Sequence, residues 1–203
     1  MRKSVGAFLG LSVAMALFGA ACTDSNHSPT APVTAGSTAS GSLLGISLVP
    51  PVHRTTPLAS DISWTFTAGP LGATSSNAAT GLSVIIPAGA LATTQTITVT
   101  ALAGDAVAYR FEPHLVFDKQ VTLKQNLAGT DVNIIGVLLG SLLLNGAHFA
   151  GDVLDVNSSG LVLVDEVVPA SLLSILLTKY AVFRVGHFSG WILTSGTADE
   201  GGY

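Results

Sequence analysis

The chain has 203 residues, of which 48% are apolar and only 10% are charged, and its formal net charge at pH 7 is −4. Beyond the first three residues its Lys and Arg are scattered, with no basic stripe and no interleaved aromatic residues, which argues against a nucleic-acid partner. A single cysteine excludes an internal disulfide. The low charge is typical of a sheet protein whose solvent faces carry Ser, Thr, Gly and Asn.

The first 21 residues have the pattern of an export signal. Two cations precede an apolar run from Val5 to Phe18, and three small residues then lead to Cys22. This arrangement resembles a lipoprotein signal, which implies cleavage before Cys22 and a diacylglycerol on its thiol. Thr23 in the next position implies sorting to the outer membrane or cell surface. The alternative is ordinary secretion, with cleavage near Ala21 and a free thiol.

Residues 22–56 predict a flexible tether because they are rich in Ser, Thr, Pro, Ala and Gly and nearly free of charge. An apolar cluster over residues 43–49 either pairs along an edge of the domain or forms an exposed patch. Residues 57–195 predict one domain, and residues 196–203 a tail. Without the signal, six Lys and Arg remain against twelve Asp and Glu, so the net charge is near −6. Later apolar runs are shorter than the about 18 residues of a membrane span.

Short alternating runs predict strands over Ile62–Thr67, Leu82–Ile86 and Thr96–Thr100. The segment Pro87–Leu91 between the last two predicts a corner, because its proline fixes φ and its glycine accepts positive φ. A strand carrying two buried residues is expected over Val116–Leu123.

Other turn signals divide the remaining chain. Pro113 is expected to end the run that begins at Tyr109, and residues 132–144 are expected to be buried strand material. Asn145-Gly146 predicts a hairpin and residues 157–160 a second turn. Helical spacing after Pro169 predicts one short helix near residues 170–180. The whole pattern predicts an all-β fold, a single antiparallel β-sandwich that folds as a monomer.

Six segments of the chain together match the pattern of a known domain family: 69–72, 86–91, 96–100, 108–114, 117–123 and 187–191. They resemble the ZU-five domain, the β-sandwich module of zonula occludens proteins, netrin receptors and ankyrins. The resemblance implies the same sandwich fold over about two thirds of the chain. Leu115 and Gln120 depart from the family pattern, in which glycine and proline are usual at these turns.

Motifs for the common enzyme classes are missing from the sequence, which has no P-loop, dinucleotide glycine pattern, GxSxG elbow, HExxH or calcium loop. We therefore expect no enzyme and no cofactor. His114, His148 and His187 are not at ligand spacing, so no metal is expected unless the fold brings them together. A hydrolase would need Asp118, His114 and Ser189 to converge.

One triplet, His187-Phe188-Ser189, carries a mechanism by resemblance. In some ZU-five relatives, among them death-domain and inflammasome proteins, a matching triplet is where the chain cuts itself. The resemblance implies that Ser189 attacks the carbonyl of Phe188 while His187 moves the proton. The alternative is a structural strand in which Phe188 fills the core.

The function expected from the sequence is that of an exported, lipid-anchored surface module in the cell envelope. Its role is structural or lies in binding a surface protein or polymer, because sandwiches present loops at their ends. Its partners are the membrane, through Cys22, and an unidentified surface protein or polymer. The alternative function is self-cleavage between Phe188 and Ser189.

Overall fold

Strands with one buried face make up most of residues 46–151 and 153–196, the parts of the chain that the computed structural model describes. The fold is an all-β antiparallel sandwich, as predicted, and it carries two short helices where one was expected. The predicted signal, Cys22 and nearly all of the predicted tail lie outside the described residues. The elements are β1 (Ser47–Val49), β2 (His53–Leu58), β3 (Ile62–Ala68), β4 (Ala73–Asn77), β5 (Leu82–Ile86), β6 (Gln95–Ala101), β7 (Gly104–Ala106), β8 (Ala108–Asn126), α1 (Ile134–Leu138), β9 (Leu144–Phe149), β10 (Val162–Val164), β11 (Glu166–Pro169), α2 (Leu172–Thr178) and β12 (Tyr180–Ser195).

Two long strands, β8 and β12, belong to both layers of the sandwich. The first part of β8 pairs with β6, which pairs with β3, whereas its last part pairs with β5, which pairs with β4. β12 pairs with β8 in both parts and, near its end, also with β9, which pairs with β11. The β8–β12 register shifts after Val185 and again after Phe188. The two strands therefore bend between the layers at these irregularities.

The core lies between the layers and confirms the predicted strand faces. Leu82, Val84 and Ile86 of β5 are buried, as are Ile97 and Val99 of β6 and Val121 and Leu123 of β8. The corner after β5 is also confirmed, because Gly89 has a φ of 76° and the next two residues, Ala90 and Leu91, are buried. Alternation with a period of two was therefore sufficient to orient these strands.

A second apolar cluster covers the other face of the β8–β12–β9 region. Val49 of β1 is fully buried there against residues of β9, β10 and β12. β1 pairs with β10, and β2 pairs with β7. The tether prediction for residues 22–56 is therefore wrong for its last part: the folded region includes Ser47 and does not begin near residue 57. Of the two alternatives for residues 43–49, the described part pairs with the domain.

Residues 132–144 are not buried strand material. Asn133 caps α1 by accepting hydrogen bonds from the N–H groups of Ile135 and Gly136, and this capping favours a helix over an extended chain. The predicted hairpin at Asn145-Gly146 is also wrong, because both residues lie inside β9. Gly146 is required for close packing, since the ring of Phe183 occupies the space that a Cβ would fill.

Pro113 does not end a strand, because β8 continues to Asn126. The proline lies in the irregular stretch of β8 between Arg110 and Leu115, opposite Ser189, where no ladder pair needs its missing N–H.

The turn at residues 157–160 is confirmed by a hydrogen bond from the N–H of Gly160 to the carbonyl of Asn157. The helix predicted near 170–180 is confirmed as α2, which Ser171 caps.

Candidate functional site

The triplet His187-Phe188-Ser189 lies where β12 bends between the layers. Phe188 is fully buried and its ring stacks on Phe111 at 4.4 Å between centroids, with Phe117 edge-on at 4.6 Å. The side chains of His187 and Ser189, two residues apart, lie on the other side of the strand and are partly exposed. The expectation that Phe188 fills the core is confirmed.

A chain of hydrogen bonds joins Ser189, His187 and Glu166. Oγ of Ser189 lies 3.2 Å from Nδ1 of His187, and Nε2 of His187 lies 2.8 Å from Oε2 of Glu166. When Glu166 is ionised and His187 is neutral, Nε2 of His187 carries the ring proton and donates a hydrogen bond to Glu166, because an ionised carboxylate only accepts. Nδ1 then has a free lone pair that accepts the hydroxyl proton of Ser189. The order nucleophile, base and orienting carboxylate is that of a serine triad.

Glu166 is the member of this chain that sequence reasoning missed. It lies in β11, which pairs with β9, and β9 in turn pairs with β12. The pairing partner of Glu166 in β9 is His148. No spacing in the sequence links residue 166 to residue 187, so the contact depends entirely on strand order. Finding it would have required a prediction that β11 and β9 follow β12 at the sheet edge.

A second histidine–carboxylate pair adjoins the first. Nδ1 of His148 is hydrogen-bonded to Oδ1 of Asp165, and the ring of His148 stands edge-on to the ring of His187 at 4.8 Å. Trp191 lies beside both rings and donates from Nε1 to the carbonyl oxygen of His187 at 3.2 Å. Both nitrogens of the His187 imidazole are therefore hydrogen-bonded, and its ring contacts the rings of His148 and Trp191.

A shallow pocket of about 370 Å³ opens beside the triplet. His114 and His148 line it together with the triplet, so the fold does bring the three predicted histidines to one place. Within residues 46–151 and 153–196, however, no group of three or more His, Cys, Asp or Glu has an arrangement that would hold a metal ion. Asp118 is not part of the pocket lining. The pocket therefore brings together His114 and Ser189 of the hydrolase set without Asp118.

A separate feature, which we call the helical apolar surface, is formed by α1, α2 and the loop after α1. The two helices contact each other, and each buries one residue, Val137 or Ile175, fully in the core. The sequence analysis did not predict this surface: residues 132–144 were predicted to be buried strand material, and no exposed apolar face was predicted for the helix near 170–180. Its large side chains, all about half or more exposed, are Ile135, Leu138, Leu139, Leu143, Leu172, Leu173 and Leu177.

Helices that cross a membrane are not found among the described residues, since α1 and α2 are far too short. No protein-family model matches the chain, and no curated protein sequence matches it.

Proposed function

We propose that the chain is an exported surface module, anchored in the cell envelope by a lipid on Cys22, that binds a partner through the helical apolar surface. The proposal includes a relationship to the ZU-five domain, which rests on the motif residues and is compatible with the all-β sandwich. The observation that carries the binding role is the exposure of seven large apolar side chains on two adjoining helices and the loop after α1. Isolated exposed leucines are ordinary, whereas a contiguous group marks an interaction site.

The packing of α1 and α2 supports this role. Both helices are short, and each contributes one fully buried side chain to the core while leaving two or more large apolar side chains in solvent. An exposed apolar side chain forgoes about 1.5–3 kcal/mol of burial free energy. A partner that covers this surface would recover part of that free energy, because association removes the same apolar area from water.

Site-specific photo-crosslinking in intact cells tests this role. A photoreactive amino acid replaces Leu173 on α2 in one chain and Leu71 in a control chain. Leu71 is the matched control because it is 93% exposed but lies in the turn before β4, outside the helical apolar surface. We expect efficient crosslinking at residue 173 and background crosslinking at residue 71. Equal yields at the two positions would overturn the proposed binding role.

Self-cleavage at Phe188–Ser189 is a second candidate function, and the Ser189–His187–Glu166 hydrogen-bond chain supports it. In this reaction Oγ of Ser189 attacks the carbonyl carbon of Phe188 while Nδ1 of His187 accepts the hydroxyl proton. The C–N bond then breaks, and the same proton passes to the nitrogen of Ser189 as the leaving amine. Water opens the resulting ester, which leaves a carboxylate on Phe188 and a free amine and hydroxyl on Ser189.

The denatured intact mass of the purified chain decides between the cut and the uncut form. Denaturation is necessary because the residues after Ser189 pair with β9 and would keep a fragment bound. Self-cleavage predicts a fragment beginning at Ser189, its loss in Ser189→Ala, and slower formation in Glu166→Gln. Ser195→Ala, in the same strand, serves as the control. A single uncut species in the wild type would reject this candidate and leave the triplet a structural role.

A further inference from the structure

The segments that form the helical apolar surface contain no charged residue. Residues 132–151 contain no Asp, Glu, Lys or Arg, and neither do residues 167–178. Lys179, which ends α2 in the left-handed conformation, is the first charged residue after the helix. A soluble protein partner is usually recognised in part by charged groups at the rim of an interface. These segments offer a partner apolar area but almost no charged group with which a partner's charges could pair.

The described chain enters the fold beside the helical apolar surface. Pro50 accepts a hydrogen bond from the N–H of Ser195, and Leu143 accepts one from the N–H of Gly196. Pro50, among the first described residues, therefore lies close to Leu143, a member of the helical apolar surface. Residues 23–45 separate Cys22 from the described part, and a chain of this length spans at most about 80 Å even when fully extended.

From these observations we infer that the helical apolar surface docks into the interfacial region of the lipid bilayer in which Cys22 is anchored. The inference rests on the proposed function and names its partner. Short amphipathic helices with an apolar face bury that face at the boundary between headgroups and acyl chains. Because the surface carries almost no charge, docking depends on apolar area and not on anionic headgroups. A lipid at Cys22 raises the local concentration of bilayer and thereby favours docking.

Depth-dependent fluorescence quenching on the reconstituted chain tests the inference. The full chain is purified from the envelope and inserted into phosphatidylcholine vesicles whose acyl chains carry bromine, a contact quencher. A fluorophore is attached to a cysteine placed at residue 139 or 173. The matched controls carry it at residue 71 or 116, where Leu71 and Val116 are 93% and 86% exposed outside the surface. We expect several-fold stronger quenching at residues 139 and 173 than at the controls.

Two further arms make the test specific. The double substitution Leu138→Ser with Leu139→Ser should abolish most of the quenching at residue 173, because docking strength scales with buried apolar area. Its unfolding midpoint should stay close to that of the wild type, since both side chains are mostly exposed. Adding phosphatidylglycerol or raising the salt concentration should change the quenching little. Quenching that requires anionic lipid or disappears at high salt would overturn the inference.

Failure of the inference can be distinguished from failure of the proposed function. If residue 173 crosslinks to a protein in cells but is not quenched by brominated lipid, the binding role stands and the bilayer is not the partner. Concentration-dependent self-association that Leu138→Ser with Leu139→Ser removes, without lipid quenching, would instead identify a second copy as the occupant. If Cys22 itself reacts with the fluorophore, the thiol carries no lipid and the anchoring proposal is wrong.

Discussion

Phe188 holds the bend of β12 in the core, while the residues on either side of it remain at the surface. Its ring contacts two phenylalanines of β8, Phe111 and Phe117. The position of His187 and Ser189 therefore depends on the packing of Phe188. The side chain is structural whether or not the adjacent peptide bond is cut.

Replacement of Phe188 by alanine should lower the free energy of unfolding by about 3–5 kcal/mol, because it leaves a cavity between the rings of Phe111 and Phe117. Urea unfolding of the uncut protein measures this loss. The control is Val116→Ala, in the same pocket wall but 86% exposed, which should change stability by less than about 0.5 kcal/mol. Equal effects of the two substitutions would mean that the packing of Phe188 contributes little.

Tyr109 makes stability depend on pH in the alkaline range. Burial raises the pKa of its phenol above 10.0, although nearby Arg54 and hydrogen bonds to Thr80 and Gln125 act in the opposite direction. The folded state therefore keeps the proton at pH values where the unfolded state releases it. The stabilisation is complete below pH 10 and is lost as the pH rises through the higher pKa of the folded state.

The expected result is an unfolding free energy that falls above pH 10 in the wild type and falls less in Tyr109→Phe. At neutral pH the variant should be less stable by about 1 kcal/mol, because Thr80 and Gln125 lose their shared donor. Urea titrations across this pH range measure both effects. Tyr180→Phe controls for a general loss of tyrosine and should retain the wild-type slope. An unchanged slope in Tyr109→Phe would contradict the assigned role of burial.

At the scale of elements, β1 shows that residues assigned to a tether take part in the fold. Val49 is fully buried and Leu48, its neighbour, is about one third exposed. Val49→Ala should therefore cost about 1–2 kcal/mol of unfolding free energy, since each buried methylene contributes about 0.8 kcal/mol. Leu48→Ala should cost clearly less. A thermal or urea unfolding series measures the difference, and a larger loss at Leu48 would indicate that β1 pairs in a different register.

The elements that the sequence predicted correctly are those with a local signal. Strands β3, β5 and β6 alternate regularly, and α2 follows a proline and a serine cap. Two features that it did not predict depend on contacts between distant residues. Gly146 lies within a strand because the Phe183 ring needs its space, and β8 passes through Pro113 because no ladder pair there needs the missing N–H of the proline.

The candidate site likewise has residues that a local sequence signal predicts and residues that it does not. The triplet was found from adjacent residues, and the burial of Phe188 follows from its place in a strand. Glu166 was missed because it is brought to His187 by strand order alone. The helical apolar surface was missed because an apolar run of this length is more often buried than exposed, and hydropathy carries no information on which side faces solvent.

At the scale of the whole molecule, the sandwich follows, along the chain, the anchor that the sequence predicts at Cys22. The described chain enters the fold at Pro50, which lies close in space to Leu143 of the helical apolar surface. Both the binding role and the bilayer docking depend on export and lipid attachment at Cys22. That attachment is therefore the central claim.

Metabolic labelling with a tagged fatty acid tests it most directly. Wild-type chain and Cys22→Ala are expressed in parallel in a bacterial host that processes lipoproteins, and the label on each purified chain is measured after denaturation and delipidation. We predict a covalent label on the wild type and none on Cys22→Ala. An unlabelled wild type, or label retained by Cys22→Ala, would contradict the account.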